Sequence, residues 1–115
     1  MINFACRQFE ISDIIKCSFG LSKSDYEVFL FQMENKNDWY STQNLSRFLG
    51  LNLTTVQRSV KKLYEKDILR RKQVNLENGG YVYLYNIEHK DKIRKMILDI
   101  IKKWSQRVEK ELREL

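Results

Sequence analysis

The sequence predicts a mainly α-helical chain with one small β-hairpin and a long C-terminal helix. Three observations lead to this fold class. Apolar residues recur at i, i+3 and i+4 through most of the chain, which is the spacing of helices that bury one face. Two strand-like runs flank Asn78-Gly79. The four glycines lie where these patterns break, and the chain has no proline, so the glycines mark the ends of elements.

The N-terminal segment, residues 1–20, is expected to form a short helix from about Phe9 to Cys17, where three isoleucines have helical spacing. Its two cysteines, Cys6 and Cys17, are interpreted as buried thiols, with a redox-sensing or intersubunit disulfide role as the alternative. His89 is the only histidine, and no Cys-x-x-Cys spacing occurs. We therefore expect no metal site and no cofactor.

A longer helix should follow Gly20. Ser22 and Asp25 form the S-x-x-D pattern of a capping box, in which each side chain accepts a hydrogen bond from the other residue's backbone. Apolar residues then continue at the i, i+3, i+4, i+7 positions of one helical face. The predicted buried face consists of Tyr26, Phe29, Leu30 and Met33.

Two short amphipathic patterns come next, joined by a turn that contains Gly50. Ser41 can cap the first helix and Asn52 the second, and the glycine suits a left-handed helix end between them. The apolar stripe of the first helix is Leu45, Phe48 and Leu49. Two helices joined by so short a turn predict a helix-turn-helix.

The second of these helices, about Leu53–Lys66, is patterned for DNA. Val56, Val60 and Leu63 share one face at helical spacing. The opposite face carries hydroxyls and cations, and a helix of this kind fits the major groove. The outward residues are Thr54, Thr55, Arg58, Lys61 and Lys62.

Positive charge is concentrated in the same region. Residues 41–75 hold 8 Lys and Arg against 2 Asp and Glu, whereas residues 1–40 hold 4 against 6. The whole chain has a formal net charge of +6. So uneven a distribution favours a polyanionic partner, and double-stranded DNA is the leading candidate.

The hairpin is expected to close through Asn78-Gly79 as a two-residue type I′ turn. This turn predicts the opposed pairs Leu76 with Tyr81, Val74 with Tyr83, and Lys72 with Tyr85. The three tyrosines would then share one face of the hairpin. We expect that face to pack against the last helix, with stacking on bases as the alternative. Packing is preferred because duplex DNA hides its base faces.

The order helix, helix, turn, outward cationic helix and basic hairpin resembles that of winged helix-turn-helix transcriptional regulators, and most closely the archaeal TrmB-like and MarR-like families. The likeness covers roughly Leu21 to Asn86 and rests on the strings LSKSDYEVFLFQM and LSRFLGLNLTTVQRSVKKLYEKDIL. Asp67 stands where the family usually has glycine, and aspartate tolerates the left-handed conformation better than most residues. The resemblance implies a DNA-binding domain at residues 21–87.

The resemblance also implies contacts with DNA. Gln57 and Arg58 would meet base edges, because a primary amide pairs with adenine and a guanidinium with guanine. The other candidates would meet phosphate, a thymine methyl or the minor groove, the last through a wing at Arg70–Asn86. They are Gln43, Arg47, Asn52, Thr54, Thr55, Lys61, Lys62, Arg71, Lys72, Asn78 and Gly79. For each of them, a solvated surface residue is the alternative.

The last segment, residues 88–115, predicts one helix from about Asp91 to Leu115. Such a helix would be ~37 Å long, more than a domain this small needs for its own core. Its apolar stripe is Ile93, Ile97, Ile100, Trp104, Val108, Leu112 and Leu115. We expect these residues to form a homodimer interface, with a helix folded back on its own domain as the alternative.

Other function classes fit less well. An enzyme needs convergent reactive groups, and the chain has neither a glycine-rich phosphate loop nor a nucleophile paired with a base, so we expect no catalytic residues. No apolar run approaches ~20 residues, and we expect a cytoplasmic protein without a membrane partner. A small-molecule effector would have to bind near the dimer interface. The remaining rival is a winged-helix module that binds protein or RNA within a larger assembly.

Overall fold

The structure, a computed structural model, describes every residue of the chain from Met1 to Leu115. It contains five helices and two antiparallel hairpins of two strands each, which confirms the mainly α fold with a small hairpin wing. The elements in chain order are β1 (Ile2–Asn3), β2 (Gln8–Phe9), α1 (Ile11–Phe19), α2 (Lys23–Glu34), α3 (Thr42–Leu49), α4 (Leu53–Glu65), β3 (Leu69–Asn75), β4 (Tyr81–Ile87) and α5 (Lys90–Arg113).

The chain divides into two compact units. One comprises Met1–Leu21 and His89–Leu115, and the other comprises Ser22–Glu88. The first unit therefore joins the two ends of the chain and contains β1, β2, α1 and α5. The second contains the helix-turn-helix and the β3–β4 hairpin.

In the first unit, α1 packs against α5. Helix α1 begins and ends two residues later than the predicted Phe9–Cys17. The shift has a local cause, because Phe9 pairs with Ile2 in the β1–β2 hairpin, which the sequence did not predict. The helix then ends at Gly20, whose φ of 65° is left-handed.

Both cysteines are exposed and free, so the prediction of buried thiols is wrong. Cys6 lies in the turn of the β1–β2 hairpin, which is closed by a 2.8 Å hydrogen bond from Phe4 N to Arg7 O. Cys17 lies on the solvent side of α1, whose buried residue is Phe19. The cysteines were assigned to the interior from residue type, but the hairpin turn exposes Cys6 and the outer face of α1 exposes Cys17.

The second unit has a core to which all of its helices and its hairpin contribute. These side chains are apolar and almost fully buried, which gives the unit a packed interior of its own. They are Val28, Phe29, Leu45, Val56, Val60, Leu63, Ile68, Leu69, Tyr85 and Ile87.

Helix α2 begins as predicted, because the Ser22 and Asp25 capping box is present. Its buried face, however, is not the predicted one. Leu30 is 40% exposed, and the buried residues are Asp25, Val28, Phe29 and Gln32. The face is therefore rotated by one residue, about 100°. Two of its four members are polar, which is why hydrophobic periodicity indicated the neighbouring stripe.

The helix-turn-helix forms with its predicted caps. Asn44 N–H donates to Ser41 Oγ over 3.1 Å at the start of α3, and Thr54 N–H donates to Asn52 Oδ1 over 2.8 Å at the start of α4. Gly50 ends α3 with a φ of 64°. Of the predicted α3 stripe, Leu45 is buried, but Phe48 is 58% exposed. The predicted inner face of α4 is buried throughout.

Asp67 adopts the left-handed conformation expected at the end of α4, with a φ of 63°. It is the only residue other than glycine with a positive φ. Ile68 N then donates to Leu63 O over 2.9 Å, so the chain leaves the helix and enters β3 directly. This turn sets where the hairpin starts relative to α4.

The hairpin register differs from the prediction by one residue. Tyr85 lies opposite Arg71 instead of Lys72, and Tyr83 lies opposite Gln73 instead of Val74. The loop is longer than two residues, and Gly79 N donates to Leu76 O over 3.2 Å. Asn78 lacks the positive φ that a type I′ turn requires of both central residues. Gly79 and Gly80 carry the positive φ angles instead.

Candidate nucleic-acid interface

The outer face of α4 is exposed and polar. Thr54, Arg58 and Lys61 are spaced i, i+4, i+7 and are all exposed, and Gln57 beside them is exposed too. The opposite face is held in the core by Val56, Val60 and Leu63. Because the inner face is fixed by packing, the outer face presents these groups in one direction, as a helix that enters a DNA groove does.

Lys62 differs from its neighbours on α4, because its charge is paired within the protein. Its Nζ lies 2.8 Å from Asp25 Oδ2 on α2. Ser59, one turn earlier, donates to Asp25 Oδ1 over 2.6 Å. The structure thus gives this predicted phosphate ligand another contact, and Lys61 is the lysine that remains free on the outer face.

The Asp25 carboxylate is stabilised in its charged form. Burial raises its pKa, but hydrogen bonds from Lys62, Ser59 and Ser22 lower it by more, and the pKa falls to about 2. A carboxylate that is 5% exposed and stays charged needs such partners. The cluster joins the N-terminus of α2 to the middle of α4.

Arg71 on β3 contacts two tyrosine rings. Its guanidinium carbon lies 4.2 Å from the ring centroid of Tyr64 on α4 and 4.2 Å from that of Tyr83 on β4. Both contacts have the distance of cation–π interactions. These contacts restrain the guanidinium, and because Arg71 is exposed it remains accessible to an anion.

A groove of about 530 Å³ lies between α3, the outer side of α4 and the hairpin. It is lined by four of the residues that the sequence singled out for DNA binding and by four tyrosines, of which the sequence assigned the three on β4 to packing. The four are Gln43, Gln57, Lys61 and Arg71, and the tyrosines are Tyr64, Tyr81, Tyr83 and Tyr85. The tyrosine row on β4 therefore contacts α4 and β3, whereas the sequence pattern predicted it against the last helix.

The opposite face of the hairpin carries a second cationic group. Lys72 Nζ lies 4.5 Å and the Arg70 guanidinium 5.5 Å from the ring centroid of Trp39. Arg70 also donates a hydrogen bond to Asn86. Lys72 and Arg71, which the sequence grouped together, thus lie on opposite faces, as alternation along a strand requires.

The other predicted contact residues are spread around this region. Gln43 and Arg47 are exposed on α3, and Asn52 is exposed at the start of α4, where its side chain is used as a cap. Thr55 is partly buried. Asn78 and Gly79 are exposed at the hairpin tip. Tyr64 and Trp39 were not singled out from the sequence. Tyr83 was, but only the observed register places it on the same hairpin face as Arg71.

A separate apolar surface runs along α5 in the first unit. Ile93 is 3% exposed, but exposure rises along the helix to 61% for Trp104 and 62% for Leu112. Ile97, Ile100 and Val108 are partly buried, and Leu115 at the end is fully exposed. Leu98 and Ile101 are exposed as well. Large exposed side chains in a contiguous stripe mark interaction surfaces.

Metal-binding and membrane-spanning features are not found. No group of three or more His, Cys, Asp or Glu side chains is placed to hold a metal ion. None of the five helices combines the length and apolarity that a transmembrane span requires.

Comparison with known proteins gives a family and a fold. A sequence model of the DnaD N-terminal domain matches residues 9–108. A solved structure described as a possible transcriptional regulator from Methanosarcina mazei Go1 is 47% identical, with a TM-score of 0.93 and coverage of 99% of this chain and 95% of that one. The protein MJ1503 of Methanocaldococcus jannaschii is 27% identical over 115 residues, which are 100% of this chain and 86% of that protein.

A more distant likeness concerns the fold alone. A MepR mutant from S. aureus bound to an oligodeoxyribonucleotide is 11% identical, with a TM-score of 0.58 and coverage of 85% of this chain and 70% of that one. The neighbours therefore include transcriptional regulators of the winged-helix type, and the chain shares their architecture.

Proposed function

Because the chain belongs to the DnaD N-terminal domain family and has the fold of winged-helix transcriptional regulators, we propose that it is a DNA-binding regulator that acts as a homodimer. Helix α4 would enter the major groove, with Arg58 and Gln57 facing base edges. Lys61 and Arg71 would neutralise phosphates, and the hairpin tip at Asn78 would lie near the backbone or the minor groove.

One observation carries this proposal. The outward face of α4 is polar and cationic, with Arg58 and Lys61 free of intramolecular partners, while the inward face is completely buried. A winged-helix module that docks on a protein would be expected to present an apolar patch there. The cationic face therefore favours nucleic acid over a protein partner.

The homodimer rests on α5. A helix of 24 residues is about 36 Å long, and Trp104 and Leu112 remain exposed on it. A second copy related by two-fold symmetry would cover this stripe with the same stripe. Such a dimer would prefer a pseudo-palindromic site with half-sites about 10 bp apart or a multiple of that distance.

Binding of duplex DNA across a salt titration, with a random-sequence duplex as competitor, tests the proposal. We expect affinity to fall steeply with salt and to be higher for a selected sequence than for the competitor. Arg58→Ala should relax discrimination at one base-pair position by about 1 to 3 kcal/mol. Equal losses on every sequence would exclude Arg58 as a base reader, and no duplex binding at low salt would overturn the proposal.

A further inference from the structure

The groove between α4 and the hairpin is lined by four tyrosines, and the proposed binding of duplex DNA assigns no role to their rings. Paired bases stack on each other and hide their faces, so tyrosine rings beside a duplex have no base to stack on. Packing does not explain the rings either, because Tyr81 is 55% exposed and Tyr83 is only partly buried. Tyr85, by contrast, is buried against Tyr64, with 6.4 Å between ring centroids.

The groove combines aromatic, cationic and amide groups around one space of about 530 Å³, and its lining also includes the carboxylate of Glu65. Tyr81 and Tyr83 form an aromatic wall, with their ring centroids 5.2 Å apart. Arg71 and Lys61 supply positive charge, and Gln57 supplies an amide that can both donate and accept hydrogen bonds. The volume lies within the range of small-molecule sites.

From this combination we propose that the groove binds a nucleotide whose base is unpaired. The base stacks on the exposed ring of Tyr81, which Tyr83 contacts at an interplanar angle of 64°, and the Gln57 amide forms hydrogen bonds with the edge of the base. The phosphate meets Lys61 and the exposed guanidinium of Arg71, which Tyr64 and Tyr83 contact. This site goes beyond the duplex-binding function, although it shares Gln57, Lys61 and Arg71 with it.

Such a nucleotide has two sources with the same chemistry, a free mononucleotide or an unpaired position in a DNA strand. Calorimetric titration of the full chain with adenosine monophosphate and with a ten-residue oligo(dA) strand separates them. Adenosine and ribose 5-phosphate serve as ligand controls, because adenosine lacks the phosphate and ribose 5-phosphate lacks the base. We expect saturable binding of at least one of the two nucleotide ligands, and weaker binding of both controls.

Tyr81→Leu tests the aromatic wall. Stacking on one aromatic ring corresponds to about 5- to 150-fold in affinity, and we expect a loss of this size. Phe48→Leu is the matched control, because Phe48 is 58% exposed in the same unit and does not line the groove. The control should bind as the natural chain does.

The outcomes discriminate clearly. Binding of oligo(dA) but not of the mononucleotide, lost in Tyr81→Leu, supports the site and identifies a strand as its source. Three results would overturn the site. They are no binding of either nucleotide ligand, binding of a nucleotide by Tyr81→Leu that equals binding by the natural chain, and binding of ribose 5-phosphate that equals binding of the nucleotide. Tyr81 has no part in the proposed duplex contacts, so duplex affinity measured on the same samples distinguishes failure of this site from failure of the regulator function.

Discussion

Lys62 and Asp25 form an ion pair with 2.8 Å between Nζ and Oδ2, and this pair ties α4 to α2. Ser59 binds the other carboxylate oxygen from the preceding turn of α4. Two attachments one turn apart hold α4 against rotation about its axis, and the rotation of α4 decides which side chains face outward. A buried carboxylate therefore positions the candidate DNA-reading face without lying on it.

Asp25→Ala should destabilise the protein by about 1 to 3 kcal/mol, because it leaves the Ser59 hydroxyl and the Ser22 N–H without their acceptor and removes the ion pair of Lys62. Urea unfolding followed by circular dichroism measures the change. Asp91→Ala is the control, since Asp91 pairs with Arg94 on the surface and its side chain is 94% exposed. That change should stay within about 0.5 kcal/mol, and an equal effect of both would contradict the positioning role.

Asp25 also predicts a pH dependence of stability. Its pKa is about 2 in the folded protein, against an ordinary value of 3.8, so the folded state binds the proton less readily than the unfolded state. The stabilisation is therefore complete above pH ~4 and is lost as the pH falls towards 2. We expect a loss of the order of 2 kcal/mol from this residue in urea unfolding at pH 7 and pH 2. In Asp25→Asn this part of the acid dependence should disappear.

Helix ends were predictable from the sequence because their causes are local. Ser22, Ser41 and Asn52 cap the helices that follow them, and Gly50 ends the helix before it, as expected. A cap involves residues two to four positions apart, so the sequence contains both partners. The long C-terminal helix was predictable for the same reason, since its periodicity extends over 24 residues.

Features that depend on distant partners were not predictable. The buried face of α2 contains Asp25 and Gln32, and their partners lie 34 and 53 residues away. The hairpin register depends on which residues adopt a positive φ. Because Gly79 and Gly80 are adjacent and both tolerate it, the sequence is compatible with the predicted two-residue turn and with the longer loop that is observed. The groove inherits this register, because only the observed register places Arg71 opposite Tyr85.

Asp67→Gly should raise the free energy of unfolding by about 1 kcal/mol. The left-handed φ of 63° strains an L-residue with a Cβ atom and does not strain glycine. The left-handed conformation costs an L-residue roughly 1–2 kcal/mol, and aspartate tolerates it better than most residues. The gain in the free energy of unfolding should therefore lie at the low end of that range. Urea unfolding measures it, and Asp67→Val, with a branched Cβ, should change stability in the opposite direction. A loss of stability in Asp67→Gly would show that the carboxylate does more than occupy the turn.

Lys61→Ala should lower the slope of log affinity against log salt by about 0.9 for duplex DNA, because one phosphate contact and its released counterion are lost. The comparison is with Lys103→Ala, an exposed lysine on α5 that removes the same charge from the other unit. Filter binding at a series of salt concentrations gives both slopes. Equal slopes for the two variants would show that Lys61 does not contact phosphate and acts only through net charge.

Trp104→Glu should convert the proposed dimer into a monomer. Trp104 is 61% exposed on α5, so its replacement removes little packing within the chain, and circular dichroism should be unchanged. An aromatic residue at the centre of an interface often contributes about 2 kcal/mol or more, which is about a 30-fold rise in the dissociation constant of the dimer. A buried glutamate at that place would add to the effect. Light scattering at micromolar concentration measures the mass, and Lys103→Glu, the adjacent exposed change, should remain dimeric. A monomeric natural chain in the same experiment would exclude the dimer and favour a single copy bound to DNA.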